Sequence, residues 1–466
     1  MAAHPLEPDG AELGTMVEAA VALIGRFLDG LPRAPASDLA ELGPVLEAVS
    51  PPPTDGGRPL DELLGTLEQA AAKGFETAGP GYLAFVPGGG LVSAALADFL
   101  ACTLNRFTGL AAPAPGLVAM EAGVLRWLCD QFDLPPQARG LFTSGGSMAN
   151  LVAVVTARTA LLGDDLGPGT LYASSQAHHS VAKAARLAGL SGAGLRTVPC
   201  TPDLRMDVDA LASAVEADRK AGLRPFLVVA SGGTTNTGTV DPLGEMADLA
   251  GEAGLWLHVD AAYGGFFQLT DRGRRRLRGI ERADSIALDP HKGLFLPYGT
   301  GALLVRDGER LRAAHSGAGP KGDYMQDIVG LEGVPDFADY GPELSRDFRG
   351  LRVWLPLHLH GVAAFRAALD EKLDLARHAH TALAAGPGLE LPWTPDLSIV
   401  AFRTRGGRDD DRRLLERVNA TRRVLLSSTE VQGRRYSRLA ILSHRTHRDR
   451  VDEAVELIRA AARLPA

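Results

Sequence analysis

Cysteine is scarce in this 466-residue chain: Cys102, Cys129 and Cys200 are the only three, and they lie too far apart for a Cys-x-x-Cys pair. Neither a disulfide framework nor a thiolate zinc site is expected, and the thiols fit a reducing compartment. Positive charge is in deficit, with 48 Lys and Arg against 56 Asp and Glu and a formal net charge of -8. A general nucleic-acid binder needs a basic surface to neutralise phosphates, so that class is disfavoured. The one dense basic run, Arg272, Arg274, Arg275, Arg276 and Arg278, reads as a solvated face rather than a binding patch. Long apolar runs are missing too, so no stretch spans a bilayer without interruption. Residues 1–14 lack the charged start and apolar core of a signal peptide. The expectation is a cytoplasmic protein that engages neither membrane nor nucleic acid. With 45% hydrophobic and 22% charged residues, the composition is that of a globular protein with a large core.

Residues 16–28 and 60–73 have helical periodicity, and Pro51-Pro52-Pro53-Thr54-Asp55-Gly56-Gly57 separates them as a linker. Further on the pattern changes. Apolar runs at 171–173, 226–230, 255–259, 285–288 and 301–305 predict strands. Helices are predicted between them over 148–162, 179–188, 208–221 and 243–253. This alternation implies a mainly parallel sheet with helices on both faces, and ligands gather at the carboxyl ends of such strands. The irregular, glycine-rich stretch 315–341 is long for a plain connection and predicts a mobile functional loop. Residues 351–380 predict a helix. Strands at 399–402 and 438–442 and helices at 411–423 and 448–462 complete a small α+β unit.

Unusual polar residues sit at the strand ends. Asp289-Pro290-His291-Lys292-Gly293 directly follows one apolar strand. A lysine desolvated in a pocket loses its proton, and the neutral amine condenses with an aldehyde; taken alone, it is a turn lysine in solvent. His258-Val259-Asp260-Ala261-Ala262-Tyr263-Gly264-Gly265 closes another strand with an acid. That acid caps a turn, or keeps a pyridine nitrogen protonated while Ala262 leaves room for a flat ring. Thr143-Ser144-Gly145-Gly146-Ser147-Met148-Ala149-Asn150 leads into a helix whose N-terminus suits an anion. No Gly-Lys-Ser/Thr follows, so it is not a Walker loop, and a simple Ser N-cap looks the same. Gln176-Ala177-His178-His179-Ser180 offers a histidine to stack on a ring or relay a proton, or merely to cap a helix. Gly232-Gly233-Thr234-Thr235-Asn236-Thr237-Gly238 is a plain turn or presents a hydroxyl.

Each segment suits one part of a single ligand: phosphate, ring face, ring oxygen, ring nitrogen and aldehyde carbon. Five coincidental turns explain this less well than pyridoxal 5'-phosphate held by Lys292 as a Schiff base.

In these segments the sequence resembles the group II pyridoxal-phosphate-dependent amino-acid decarboxylases, the family of aromatic-amino-acid, histidine, glutamate and diaminobutyrate decarboxylases. The likeness runs from about Gly79 onward and includes Asn105-Arg106-Phe107-Thr108-Gly109 and Phe348-Arg349-Gly350-Leu351-Arg352-Val353-Trp354. It implies an α/β architecture of fold type I, as in aspartate aminotransferase. That means a mostly parallel central sheet with helices on both faces, plus a small C-terminal α+β domain. The expected division is an N-terminal helical segment (1–78), a large cofactor-binding domain (79–315), a mobile catalytic loop region (316–350) and the small domain (351–466).

The resemblance also implies a homodimer with shared active sites, an amino-acid substrate, and decarboxylation to the amine and CO2. By position, Lys292 holds the cofactor, Asp260 pairs with its ring nitrogen, and His178 stacks on the ring and orients the substrate. Thr235 lies near the phenolic oxygen and Ala262 packs under the ring. Gly146, Ser147, Asp289 and His291 contact or border the phosphate. Phe85 is expected at the substrate rim, with Phe107 and Thr108 reaching it from the neighbouring subunit. The proton donor is expected on the loop, where Tyr340 is slightly preferred over Tyr324. No metal is implied. Gly293, Met148, Gly79, Gly88 and Gly89 depart from the family pattern, which bears on the substrate more than on the cofactor. The alternatives are an aldehyde synthase, aminotransferase or lyase using the same cofactor, and a non-catalytic homologue.

Overall fold

Seven strands form the central sheet of the computed structural model, which describes residues 6–317, Met325, Asp327 and 330–463. They are β1 (Arg139–Thr143), β2 (Gly169–Ser174), β3 (Leu195–Val198), β4 (Arg224–Ser231), β5 (Trp256–Asp260), β6 (Ser285–Leu288) and β7 (Gly301–Val305). Their order is β1-β7-β6-β5-β4-β2-β3, and only β7 runs antiparallel to its neighbours. Every residue of β2, β6 and β7 is buried, which is why these runs read as continuously apolar rather than alternating. The six co-directional strands therefore end along one edge of the sheet. Asp260 closes β5 there, paired in register with Ser231 of β4 and Ala287 of β6.

All five strands expected from apolar runs are present, while β1 and β3 carry too weak a signal to be read. β3 is an edge strand with only Val198 buried, and β1 opens on an exposed arginine and a glycine. The first helix runs Gly10–Gly30, starting earlier than its periodicity suggests because Asp9 and Glu12 form a capping box. The single helix expected over 351–380 is two helices, Arg349–His360 and Val362–Ala384, broken at Gly361 with φ 74°. The first of them packs on the helices Val92–Leu104 and Pro115–Gln131, so it belongs with the large unit. A separate small core begins only in the second, at Leu375. That places the structural boundary inside Val362–Ala384 rather than at 351.

The small unit carries an antiparallel sheet of β8 (Leu389–Glu390), β9 (Ile399–Thr404), β10 (Ser427–Val431) and β11 (Arg434–Ala440), ordered β8-β9-β11-β10. The segment Gly81-Tyr82-Leu83 zips onto it through Leu83 N–H to Leu425 O and Ala440 N–H to Leu83 O. A Cβ at Gly81 would lie 2.4 Å from Arg423 O, so only glycine allows this approach. The N-terminal helices Gly10–Gly30, Leu42–Val49 and Leu60–Ala71 bury none of their residues fully. Val21, Ile24, Phe27, Leu63 and Leu67 are exposed on them.

Candidate active site

Lys292 lies in the short turn of helix Pro290–Gly293 that follows β6, with Asp289 as its N-cap. Its Nζ is 2.8 Å from Asp289 Oδ2. The other carboxylate oxygen, Asp289 Oδ1, is buried without a hydrogen-bond partner among the described residues. Next in sequence, His291 donates from Nδ1 to Thr300 O at 2.7 Å. Burial pushes its pKa down, against the pull of Asp289, whose Oδ2 lies 3.7 Å from Nε2. These groups open into a cavity of about 290 Å³ at the carboxyl edge of the sheet. Gly146, Ser147, His178, Thr235, Asp260, Ala262, Asp289, His291 and Lys292, all nine residues expected at the cofactor, line that one cavity.

Behind Asp260 runs a buried polar chain. Strand alternation puts Trp256, His258 and Asp260 on the same face of β5, toward the helix Gly146–Leu161. An ionised carboxylate only accepts hydrogen bonds, so the amide of Asn150 must present its NH2 to Asp260 Oδ2, at 2.9 Å. Asn150 Oδ1 then faces His258 Nε2 at 3.0 Å, and that nitrogen must carry the proton. Burial lowers the His258 pKa to about 4, so Nδ1 is a bare acceptor for the Ser285 hydroxyl at 2.8 Å. Ser285 Oγ in turn accepts from Trp256 Nε1, at 2.8 Å. The donors and acceptors close without a vacancy from the indole to the carboxylate.

Asn150 also donates to Ser180 Oγ at 2.8 Å, and that hydroxyl lies 2.7 Å from His178 Nδ1. The Ser180 backbone N–H points at the same nitrogen, 3.3 Å away. Nδ1 is therefore an acceptor. Burial lowers the His178 pKa against the pull of Asp260, so the neutral ring carries its proton on Nε2. One asparagine thus orients both the acid and the imidazole of the cavity.

The opposite end is a cradle for an anion. Gly145 caps the helix Gly146–Leu161, whose first backbone N–H groups have no partner within the helix. A Cβ at Gly146 would lie 2.9 Å from Ala262 Cβ and 3.1 Å from Asp289 Oδ2, so the space is reserved by the missing side chain. Asp289 borders the cradle, and Lys292 balances its charge. A helix-end cradle, an amine, a flat alanine floor and a carboxylate at the far end match pyridoxal phosphate part for part.

The sequence matches the pyridoxal-dependent decarboxylase conserved domain over residues 53–405. The chain belongs to that family. It is 36% identical over 392 residues to an aromatic-L-amino-acid decarboxylase of Bacillus atrophaeus, covering 82% of this chain and 81% of the other. With tryptophan decarboxylase 1 of Oryza sativa subsp. japonica it shares 31% over 491 residues, covering 98% and 94%. The crystal structure of Oryza sativa TDC with PLP and tryptamine superposes with a TM-score of 0.93 at 29% identity, covering 99% of both chains. The protein is a pyridoxal-phosphate-dependent amino-acid decarboxylase, a carboxy-lyase of fold type I.

Other residues expected at the decarboxylase site fall elsewhere. Tyr340 is buried against Phe337 and lines a different cavity with Arg139 and Gly140, at the start of β1. The active-site cavity lies at the other end of that strand, beyond Thr143, so Tyr340 does not reach it. Tyr324 lies outside the described residues. Thr108 is fully buried in its own chain with its hydroxyl unpartnered, so it cannot reach a neighbour's site. Phe85 is exposed at 52% and does not line the cavity, while Phe107, expected at the neighbouring subunit's site, is exposed at 36%.

Three contributors were missed. Asn150 and Ser180 ended motifs already singled out, but strand alternation at 256, 258 and 260 was the signal that they face a polar chain. Arg438 gave no local signal. It is buried on β11, and burial lowers its pKa to about 10. It donates to Asn236 O at 2.8 Å, Ser427 Oγ at 3.1 Å, Phe85 O at 3.2 Å and Thr235 O.

Replacing Asn150 strands three polar groups at once. Asn150→Ala is expected to cost on the order of 2–4 kcal/mol of stability and to weaken cofactor binding, read by thermal unfolding and by cofactor titration. An unchanged melting temperature and affinity would show that the chain behind Asp260 is not what orients it.

Proposed function

We propose that the enzyme decarboxylates an aromatic L-amino acid. The observation that carries the site assignment is the joint placement of Lys292, Asp260 and neutral His178 on one cavity wall system. Bound pyridoxal phosphate supplies a protonated ring that takes up the electron pair left at Cα when CO2 departs. Lys292 would be the amine that holds the cofactor, Asp260 would keep the ring nitrogen protonated, and Ala262 would lie beneath the ring. Thr235 would serve the phenolic oxygen, while Gly146, Ser147 and His291 would serve the phosphate. His178 would stack on the ring and offer its Nε2–H to the substrate carboxylate. Among the described residues no arginine lines the cavity, which disfavours a substrate with an acidic side chain. The exposed ring of Phe107 would offer an apolar rim to the site of a neighbouring subunit. The relatives named as aromatic-amino-acid and tryptophan decarboxylases support the same class.

The test is an amine-release screen over the amino acids with the holoenzyme. Tryptophan, phenylalanine or tyrosine should yield amine and CO2, and glutamate should be inert. Lys292→Ala should release no amine and lose the cofactor's long-wavelength absorption band. Preferred turnover of an acidic amino acid would overturn the substrate class, and an aldehyde product would overturn the reaction.

Proton return to Cα requires a donor that reaches the cavity. With Tyr340 buried at the other end of β1, we assign that role to Tyr324. General acid catalysis contributes about 10²-fold or more, so Tyr324→Phe should lower amine formation by that factor. Tyr340→Phe should stay within a few-fold of wild type. The reverse order in turnover assays would return the role to Tyr340.

We further infer a homodimer. Besides the exposed apolar side chains of the N-terminal helices, Leu96, Phe99, Leu100 and Leu104 are exposed on Val92–Leu104. Apolar surface on this scale marks an interface. Light scattering should give twice the mass of one chain, and Phe27→Asp combined with Phe99→Asp should shift it toward one. A monomeric wild type would refute the inference. No helix among the described residues is long and apolar enough to cross a membrane, and the free cysteines support a reducing, cytoplasmic setting.

A further inference from the structure

The basic run at 272–278 is not simply a solvated face. Arg272, Arg275 and Arg276 project from the helix Asp271–Arg276 into a second cavity of about 370 Å³. Arg377 and His380 of Val362–Ala384 line it from another side, and the loop 394–397 closes it. Two of the four guanidinium groups are spoken for. Arg272 pairs with Asp370 at 2.8 Å and Asp374 at 2.5 Å. Arg276 reaches Asp396 at 3.2 Å, but that carboxylate also takes Arg205 at 2.9 Å and the Val240 N–H at 2.9 Å. Arg275 and Arg377 have no carboxylate partner among the described residues, although both line the cavity. His380 Nε2 is buried there without a hydrogen-bond partner, while the ring bonds the Trp393 backbone.

Two unpaired forks and an unsatisfied imidazole nitrogen around one cavity form a set that a phosphate group completes. Guanidinium groups bind phosphate oxygens in bidentate fashion. A proton shared between His380 Nε2 and a phosphate oxygen would satisfy that nitrogen too. We propose that this cavity binds a phosphate-type oxyanion, either free phosphate or the headgroup of a small phosphomonoester. It is separate from the cofactor cradle, which is lined by Gly146 and Ser147. A short path of packing and hydrogen bonding links the two. Asp396 lines the second cavity, and its neighbour Leu397 packs on Gly233 and Gly264, where an added Cβ would come within 3.0 and 2.6 Å of Leu397 Cδ1. Ser398 N–H then donates to Tyr263 Oη at 2.8 Å, and Tyr263 and Gly233 line the cofactor cavity.

The test uses the holoenzyme, whose own cradle is filled by the cofactor's phosphate. Calorimetric titration with inorganic phosphate in one arm and glycerol phosphate in the other, at constant ionic strength, should show saturable one-site binding in at least one arm. Tighter binding in the second arm would identify a phosphomonoester as the ligand. Arg275→Ala with Arg377→Ala should weaken that binding at least tenfold, while amine formation without phosphate and the melting temperature stay unchanged. Arg377→Gln alone should give a smaller loss in the same direction. Absence of saturation in both arms, equal heats from sodium chloride, or a double variant that binds as wild type would each overturn the proposal.

Discussion

A carboxylate at the end of a buried strand needs partners that keep it in place and charged, and the arrangement of this decarboxylase follows from how Asp260 obtains them. Its own strand supplies part of the answer. Trp256 and His258 recur at every second residue on the Asp260 face, and the parallel neighbour brings Ser285 opposite His258. The rest comes from Asn150, one turn into the helix whose N-terminus, Gly146 and Ser147, opens on the cavity. The residue that holds the acid is therefore built into an element that lines the opposite end of the same cavity. Orientation passes in one direction only, because the indole can only donate and the carboxylate can only accept. His258, neutral because it is buried, transmits the constraint without adding charge.

The cofactor end of this site was legible in the sequence because its residues occupy strand ends, where position alone implies convergence. Lys292, Asp260, His178, Thr235 and Gly146 needed only the order of strands and turns to be gathered. What was not legible depends on contacts between distant segments. Tyr340 has the residue type of a proton donor, yet Phe337 and Arg139 enclose it at the wrong end of β1. Thr108 sits in a segment with the right pattern, yet its chain folds over it. The break at Gly361 was visible as a glycine, but the helical periodicity on both sides outweighed it. Strands β1 and β3 stayed hidden because a short edge or a glycine-containing run has no distinctive period.

The small unit shapes the site without lining it. Arg438 is a buried cation whose acceptors are carbonyl oxygens of Asn236, Thr235 and Phe85 and the hydroxyl of Ser427. Burial without a carboxylate is costly, and the four acceptors repay part of that cost only if the three segments meet. Thr429 adds a bond to Asn236 Oδ1 at 2.6 Å, and Asn236 Nδ2 reaches Gln176 Oε1 at 3.0 Å, two residues before His178. β10 and β11 thus clamp the Thr235 turn, the approach to His178 and the Phe85 backbone together.

This coupling extends to the residues around Phe85. The cavity wall is largely polar, and Asn150, Asp260, Ser180 and His178 on it are hydrogen-bonded to one another. Outside it, Phe85 sits at φ 52°, with its N–H on Ser427 and its carbonyl on Arg438. The nearby Gly88 and Gly89 extend the same constraint. A Cβ at Gly88 would lie 2.9 Å from the Tyr298 ring, and one at Gly89 would lie 2.5 Å from Phe295 Cβ. Side chains at those positions would displace aromatic neighbours rather than enter open space. The departures from the family pattern at Gly88 and Gly89 are thus paired with the packing around them, and that packing depends on how the small unit seats on the large one.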